Sequence, residues 1–487
     1  MKIHELITDD SITLYWEREE GMKEHFSYEF EGKKGTLKST HLMLDALAPD
    51  SVYTLKLEGK EYSFKTLKKK KRVDITKAPY SVKGDGLTLQ TKIIQKAIDD
   101  IKESEILYFP PGVYLTGALN LHSDMELYLE EGAVLRGSKE EEDYLPKRKS
   151  RFEGHEMECF SSLLNLGELD HNAPPNARNV IIRGKGTIEG GGRELAFKII
   201  ENERVRLKAY ISSLGDKVKE CENENTIPGR VRPRLINLSN AENVRISGLK
   251  LKNGPSWNVH MIYSKNIVTD HCTFSSEDVW NGDGWDPDSS EDCTLFASSF
   301  YTGDDSVAIK SGKNPEGNII ARATKRIRVF DCHSAYGHGI VIGSEISGGV
   351  EDVYIYDSDL SSSMYGLEVK GTRKRGGYVK NIRVENCTLP RILIHSVKYN
   401  DDGEAAPTIP VFEDFTYKNI TLLGHYLDID NDKMTKSCPV IEVEGFQDEG
   451  HELKNINFTN ITIPENSEIR ISKAESINFN GIKTKER

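Results

Sequence analysis

Six segments of this chain repeat one pattern, and the repetition excludes most folds before any other property is weighed. They are "NVRISGLKLKN" (243–253), "NIVTDHCTFSS" (266–276), "DCTLFASSFYT" (292–302), "RIRVFDCHSAY" (326–336), "DVYIYDSDLSS" (352–362) and "NIRVENCTLPR" (381–391). Each opens on a polar residue, often Asn or Asp, and continues with apolar side chains at alternate positions. The starts lie 23, 26, 34, 26 and 29 residues apart, and "NVIIRGKGTIEG" (179–190) and "NINFTNITI" (455–463) add outer copies. Short strands at such a period build a solenoid, in which every turn buries its inner face against the next. Leucine-rich repeats share the period but need a leucine pattern that is absent. A right-handed parallel β-helix fits. Asn at the strand starts suits a turn position in the left-handed region, so "NIT" (419–421) reads as turn chemistry rather than a glycan site. The helical pattern "LQTKIIQKAIDDI" (89–101) is expected to cover the open N-terminal end.

The solenoid is expected over residues 71–487, behind a small β-sandwich of residues 1–70. In that front domain "LAPDSVYTLKL" (47–57) resembles the tyrosine-corner region of fibronectin type III domains, with Tyr53 at the corner and Trp16 in the core. The copy is short enough to lack a strand. The basic run "KKKKR" (68–72) reads as a solvated linker at the boundary. Composition then narrows the function. Hydrophobic residues at 37% and 40 glycines describe an ordered, turn-rich chain. A formal charge of −12 argues against nucleic acid or an anionic membrane as partner, though not against an acidic substrate in a locally basic site. No run is apolar and long enough to span a bilayer. The first residues lack the stages of a secretory signal, so a cytoplasmic location is expected. Seven scattered cysteines, without CxxC or HxxxH spacing, point to reduced thiols, no metal and no cofactor. Nothing in the sequence sets the oligomeric state.

Chemistry enters where the strands are stacked in register. Val307 and Ile309 align with Ile340 and Ile342, then with Leu367 and Val369, all pointing inward. Ala308, Lys310, Val341, Gly343, Glu368 and Lys370 therefore point outward. The loops before these strands carry "NGDG" (281–284), "GDD" (303–305) and "GHG" (337–339). Successive turns lie about 4.8 Å apart, so Asp283, Asp304, Asp305 and His338 should form one column, joined by Lys370. An isolated Asp is most often a turn carboxylate. Stacked carboxylates raise each other's pKa and strain a fold that does not use them. Such a set suits glycoside hydrolysis, which needs one protonated acid and one ionised partner that activates water.

With "NGDGWDPDS", "GDD", "GHG" and a lysine-bearing strand in this order, the chain resembles glycoside hydrolase family 28, the polygalacturonases. "YSVKGDG" (80–86), "LYFPPGVYLTGAL" (107–119), "RPRLI" (232–236) and "NGPSW" (253–257) support the resemblance, which spans roughly residues 75 to 480. The resemblance implies an inverting mechanism. Asp304 would be the general acid, Asp283 and Asp305 would position and deprotonate water, and His338 would tune the acid's proton. Lys370 would bind a substrate carboxylate, Asn281 matches the Asn of the family's Asn-Thr-Asp triplet, and Tyr399 matches an aromatic on the leaving-group side. "RFEGHE" (151–156) and the front domain resemble the bacterial exo-acting branch, which implies release of galacturonic acid from the non-reducing end of pectic oligosaccharides.

Two positions depart from the family. Its Thr is Gly282, and its Arg-Ile-Lys strand reads Glu368-Val369-Lys370. Either Arg373 or Arg375 supplies the missing cation, or the neighbouring subsite holds a neutral sugar such as rhamnose, hydrogen-bonded by Glu368, as in a rhamnogalacturonan hydrolase. Two rivals remain: a calcium-dependent lyase, invited by "DGWDPDSSED" (283–292), and a non-catalytic carbohydrate-binding solenoid. His260 and His333 read as structural, Cys272, Cys293, Cys332 and Cys387 as an internal stack, and Trp285 as core filler or sugar platform.

Overall fold

A computed structural model describes residues 1–221 and 223–485. The chain divides into two compact units, one of Met1–Val73 with Ser104–Ile106 and one of Asp74–Glu103 with Leu107 onward.

The first unit is a β-sandwich of two antiparallel sheets. One contains His4–Ile7, Ile12–Tyr15 and His41–Leu44; the other contains Lys33–Leu37, Phe26–Phe30, Val52–Leu57 and Lys60–Lys65. The short copy thus has seven strands. Alternation puts Leu55 and Leu57 inside with Ile12, Leu14, Phe26 and Phe64, around a fully buried Trp16. The Tyr53 hydroxyl accepts a hydrogen bond from the Ala48 amide, 2.7 Å away, which ties the corner as its sequence implied. The basic run is not a free linker. Its end forms the strand Lys71–Asp74, with Lys71 3.0 Å from Glu105 and Arg72 3.8 Å from Asp10.

The second unit is a parallel β-helix of three long sheets whose strands follow one another in sequence order. One inward column runs Val180, Val244, Ile267, Cys293, Ile327, Val353, Ile382, Phe415, Ile456 and Ile477, each residue paired with the next. Full burial of each such side chain contributes about 1.5–3 kcal/mol, so this column makes registry expensive to lose. Asn179, Asn243, Asn266, Asp292, Asp352, Asn381 and Asn455 all have φ between 53° and 57°, the left-handed turn expected of them. Their amides form ladders: Asn266 donates to Asn243, which donates to Asn179. Asn419 belongs to such a ladder, between Asn386 and Asn460.

All seven cysteines are free. Cys272, Cys332 and Cys387 share one turn position, interleaved with Ser298 and Ser358, whereas Cys293 sits inside a strand of the inward column. The expected stack is therefore of three cysteines, not four. Trp285 is fully buried and donates from its indole to Thr269, which makes it core.

The helix Thr91–Asp100 packs on the first coils through Ile94, Ala97 and Ile98. A second helical segment escaped the reading by repeats. Helices Gly192–Arg206 and Lys208–Leu214 leave the solenoid between two coils. Leu195, Ala196, Ile199 and Ile200 are buried on one face, and that i, i+1, i+4, i+5 spacing was its available signal. A shorter excursion with the helix Glu316–Ile320 accounts for the 34-residue gap between repeats.

Candidate active site

The site lies on the outer face of the eleven-stranded sheet, where a strand turns in from its loop. Trp285 pairs with Val307, Val307 with Ile340 and Ile340 with Leu367. Asp283, Asp305, His338 and Tyr365 each sit two residues earlier and therefore form one column. Two glycines make the loops fit. A Cβ on Gly303 would lie 2.5 Å from the Val279 carbonyl oxygen. One on Gly282 would lie 2.7 Å from the carbonyl oxygens of both Ser276 and Val279, so the family's Thr has no room here.

Asp283 and Asp305 are 2% and 5% exposed, and Asp304 reaches furthest toward solvent. His338 Nδ1 lies 3.0 Å from Oδ1 of both Asp304 and Asp305, and the Asp305 amide donates to Asp304 Oδ1 at 2.9 Å. Asn281 Nδ2 approaches Asp304 Oδ2 at 3.4 Å, while its Oδ1 accepts from Arg232 at 2.6 Å. Arg232 is in turn held over the Trp280 ring, 4.4 Å away.

Burial and neighbouring charge push the three central carboxyls apart. Burial raises Asp283, and Asp304 and Asp305 add to it against the opposition of Lys310. Burial also raises Asp305, reinforced by Asp304. Burial acts upward on Asp304 too, but His338 outweighs it and holds that carboxyl well below the usual range. His338 answers in kind. Burial would lower it, yet Asp304 and the other carboxylates around the ring hold it well above the ordinary imidazole value. These opposite shifts place the shared proton on His338.

Several residues of the site were missed by sequence. Lys310, read only as pointing outward, donates from Nζ to Asp283 Oδ2 at 2.9 Å and lies 4.0 Å from Asp286 and 3.5 Å from the centre of the Trp257 ring. Asp286 is fully buried, and neither of its carboxylate oxygens has a hydrogen-bond partner among the described residues. Alternation along the strand Trp285–Asp288 was the signal, since Asp286 shares the outward face with Lys310. Asp430 reaches His338 from 92 residues away. No local pattern announces that contact.

Lys370 and its surroundings differ from expectation. Lys370 Nζ is 2.9 Å from Glu368, whose other oxygen meets His395 Nε2 at 2.8 Å. Burial works against ionisation of Glu368, but Lys370 and His395 bring it down to about 2. Glu368 is thus a buried anion already paired, not a free acceptor for a sugar. Tyr399 is 46% exposed, its ring 5.8 Å from Lys370. Neither candidate replaces the missing cation. Arg373 makes a two-pronged pair with Asp448 at 2.7–3.1 Å, and the fully buried Arg375 donates to Ser344, Asn314 and Asn400. His260 is buried against Asp288, and His333 lies on an exposed strand 3.7 Å from Asp359, both away from the column.

The groove is closed on the side of the earlier coils. "RFEGHE" forms the turn of an antiparallel hairpin, Arg148–Phe152 with His155–Cys159. Phe152 stacks on Trp257 at 4.6 Å, and the buried Arg151 donates to Asp288 and Ser289 at 3.0 and 2.8 Å. Glu153, Arg230, Asp402 and Lys313 link the hairpin to loop 400–404. Outward residues Arg232, Arg234, Trp257 and His260 are consequently buried, whereas Lys370, His395 and Tyr399 on later coils stay accessible. Asp304, Asp305 and His338 also form a trio whose donor atoms lie within 4.8 Å of one another. In that trio His338 Nδ1 faces both carboxylates at 3.0 Å.

Known proteins resemble this chain in sequence and in fold over most of its length. Residues 175–459 match the family model for Glycosyl hydrolases family 28. An exo-poly-alpha-D-galacturonosidase of Dickeya chrysanthemi is 28% identical over 85% of this chain and 70% of its own length. A probable polygalacturonase of Vitis vinifera is 31% identical over 73% of this chain and 71% of its own. Among solved structures, the family 28 exopolygalacturonase of Yersinia enterocolitica superposes with a TM-score of 0.81 at 22% identity, covering 100% of this chain and 97% of that one. The exopolygalacturonase of Thermotoga maritima gives 0.70 at 25% identity over 85% and 91%.

Proposed function

The chain belongs to the glycosyl hydrolases of family 28, and from that membership we propose an exo-acting, inverting hydrolase that releases galacturonic acid from the non-reducing end of pectic oligosaccharides. The observation that carries this reading is a cluster of three carboxylates and one imidazole on the outer face of the sheet, with the 148–159 hairpin covering the earlier coils. Cover on the side of the earlier coils favours entry of a chain end over passage of a polymer's middle.

Asp304 protonates the leaving oxygen, while Asp283 and Asp305 hold and deprotonate the attacking water. The raised values of Asp283 and Asp305 make them better bases once ionised. A bound sugar expels the water that supports the Asp304–His338 ion pair, and the proton then crosses the 3.0 Å contact to Asp304. Lys310 keeps Asp283 in place and offsets its charge. Product analysis on defined oligomers tests the assignment: single sugars with inverted anomeric configuration are expected, and mid-chain cuts would remove the exo reading.

A second reading concerns the leaving side. Because Glu368 pairs with Lys370, the two residues together carry little net charge toward that subsite. A neutral sugar there, as in rhamnogalacturonan oligomers, fits this better than a second acid. Rates on galacturonan and rhamnogalacturonan oligosaccharides of equal length decide between them.

A further inference from the structure

An inverting cycle ends with its acid deprotonated and its base protonated, so the acid must be reloaded. His338 stands where that proton comes from. Its Nδ1 faces Asp304 and Asp305, and its Nε2 lies 3.1 and 3.2 Å from the two oxygens of Asp430. Acceptors at both ring nitrogens suit only the doubly protonated imidazolium.

Asp430 comes from a separate part of the chain, the tip of a short hairpin formed by His425–Leu427 and Thr435–Ser437. The tip is braced without Asp430: Asn431 and Lys436 donate to Asp428 at 2.6–3.0 Å. Tyr426 of the same hairpin lies under Arg391, 4.2 Å from its guanidinium. Asp430 is thus left to point at His338, half exposed, while His338 itself is 12% exposed.

We propose that Asp430 is a positioning residue that keeps His338 Nε2 protonated and the ring charged, so that the Nδ1 proton is the one delivered to Asp304. The proposal rests on Asp304 being the general acid. In the step itself, Asp304 takes the Nδ1 proton of His338 and passes it to the leaving oxygen. The ring is left neutral, with Nε2–H held by Asp430, and Nδ1 regains a proton from water once product has left. The proton that the base took from the attacking water departs to solvent, so protons balance over the cycle. The arrangement repeats the logic of a carboxylate that fixes a catalytic imidazole from behind.

The groups facing His338 are Asp304 and Asp305 from the preceding coil, Tyr365 from the following one, with its ring 4.9 Å away, and Asp430. Asp430→Asn keeps an acceptor for Nε2–H and removes the charge. The alkaline limb of kcat/KM on a galacturonate oligomer should then move to lower pH by about one unit, a shift at the lower end for a lost nearby charge. KM should change less than twofold, and Asp430→Glu should recover at least half of the shift. Lys370 stays charged across that range, because burial is outweighed by Glu368, Tyr399, Asp305 and Tyr365 together, which hold it well above its ordinary value. An unmoved alkaline limb in Asp430→Asn overturns the proposal, whether or not the rate falls. Asp304→Asn serves as the control: inactive, it confines such a failure to Asp430; active, it removes the general-acid role beneath it.

Discussion

The two faces of the eleven-stranded sheet obey different rules, although the same strands make both. Inside, Val307 and Ile309 pair with Ile340 and Ile342, which pair with Leu367 and Val369, and any of them could be another apolar residue of similar volume. Outside, the matching positions read Asp286, Ala308, Val341 and Glu368 in one row, then Asp288, Lys310, Gly343 and Lys370 in the next. No two neighbours are alike, and the charges are held by different partners: Asp288 by Arg151, Glu368 by Lys370, and Asp286 only by Lys310 at 4.0 Å. The inner face stores stability in redundancy. The outer face concentrates charge that only function or a specific counter-ion can justify.

The largest expected break between the faces is Asp304→Asn. It changes one oxygen to an amide on the outer side and should lower kcat by about 10²- to 10⁴-fold, with the same thermal unfolding curve within a few degrees. A comparable loss from an inner-face substitution that leaves the protein folded would end the distinction.

Next in size is Lys310→Met. It strands Asp283 and Asp286 beside one another in a buried site, and breaking a buried pair typically costs about 3–5 kcal/mol. The pH dependence has a definite sign. Both carboxyls already have folded-state values above their unfolded ones, pushed there by burial against the pull of Lys310. An acid raised in this way favours folding below its unfolded pKa and loses that contribution as pH rises toward the folded value. The variant's deficit in urea denaturation should therefore be largest near neutrality and shrink on acidification. A deficit equal at pH 5 and pH 7 would mean that Lys310 acts by packing on Trp257 alone.

Sequence made the inner face legible and the outer face only in part, for the same reason. The inward alternation of "SVAIKSG" or "GIVIGSE" is local and repeated, so the register of Asp283, Asp304, Asp305 and His338 could be read from it. The residues that serve them could not. Asp430 arrives from a hairpin that belongs to no repeat, and Arg151 from a hairpin that crosses over the coils. Glu368 and Lys370 were both read as facing outward, but nothing in their spacing says that they face each other. The helical segment 192–214 was hidden by a different cause: a search for period-two strands passes over a 3.6-residue period.

A milder probe of the inner face is Ile342→Val. Removing one methylene from a filled column should cost about 0.5–1.5 kcal/mol and leave kcat/KM unchanged. Denaturant midpoint and initial rates on the same preparation measure both. A change in rate without a change in midpoint would show that strain passes through the sheet from one face to the other.

The smallest expected effect bears on what the outer face recognises. Glu368→Gln keeps the side chain's shape and its contact with His395, but removes the anion that Lys370 now faces at 2.9 Å. Lys370 is 13% exposed, so its freed charge is only partly screened from a ligand in the groove. For an oligomer with an acid on the leaving side, KM should fall about two- to fivefold, the worth of a partly exposed ion pair. For one with a neutral sugar there, KM should not move. Equal responses from both oligomers would mean that Lys370 does not face the leaving sugar, and the contrast between closed and open sides of the groove would then have to be drawn from the 148–159 hairpin alone.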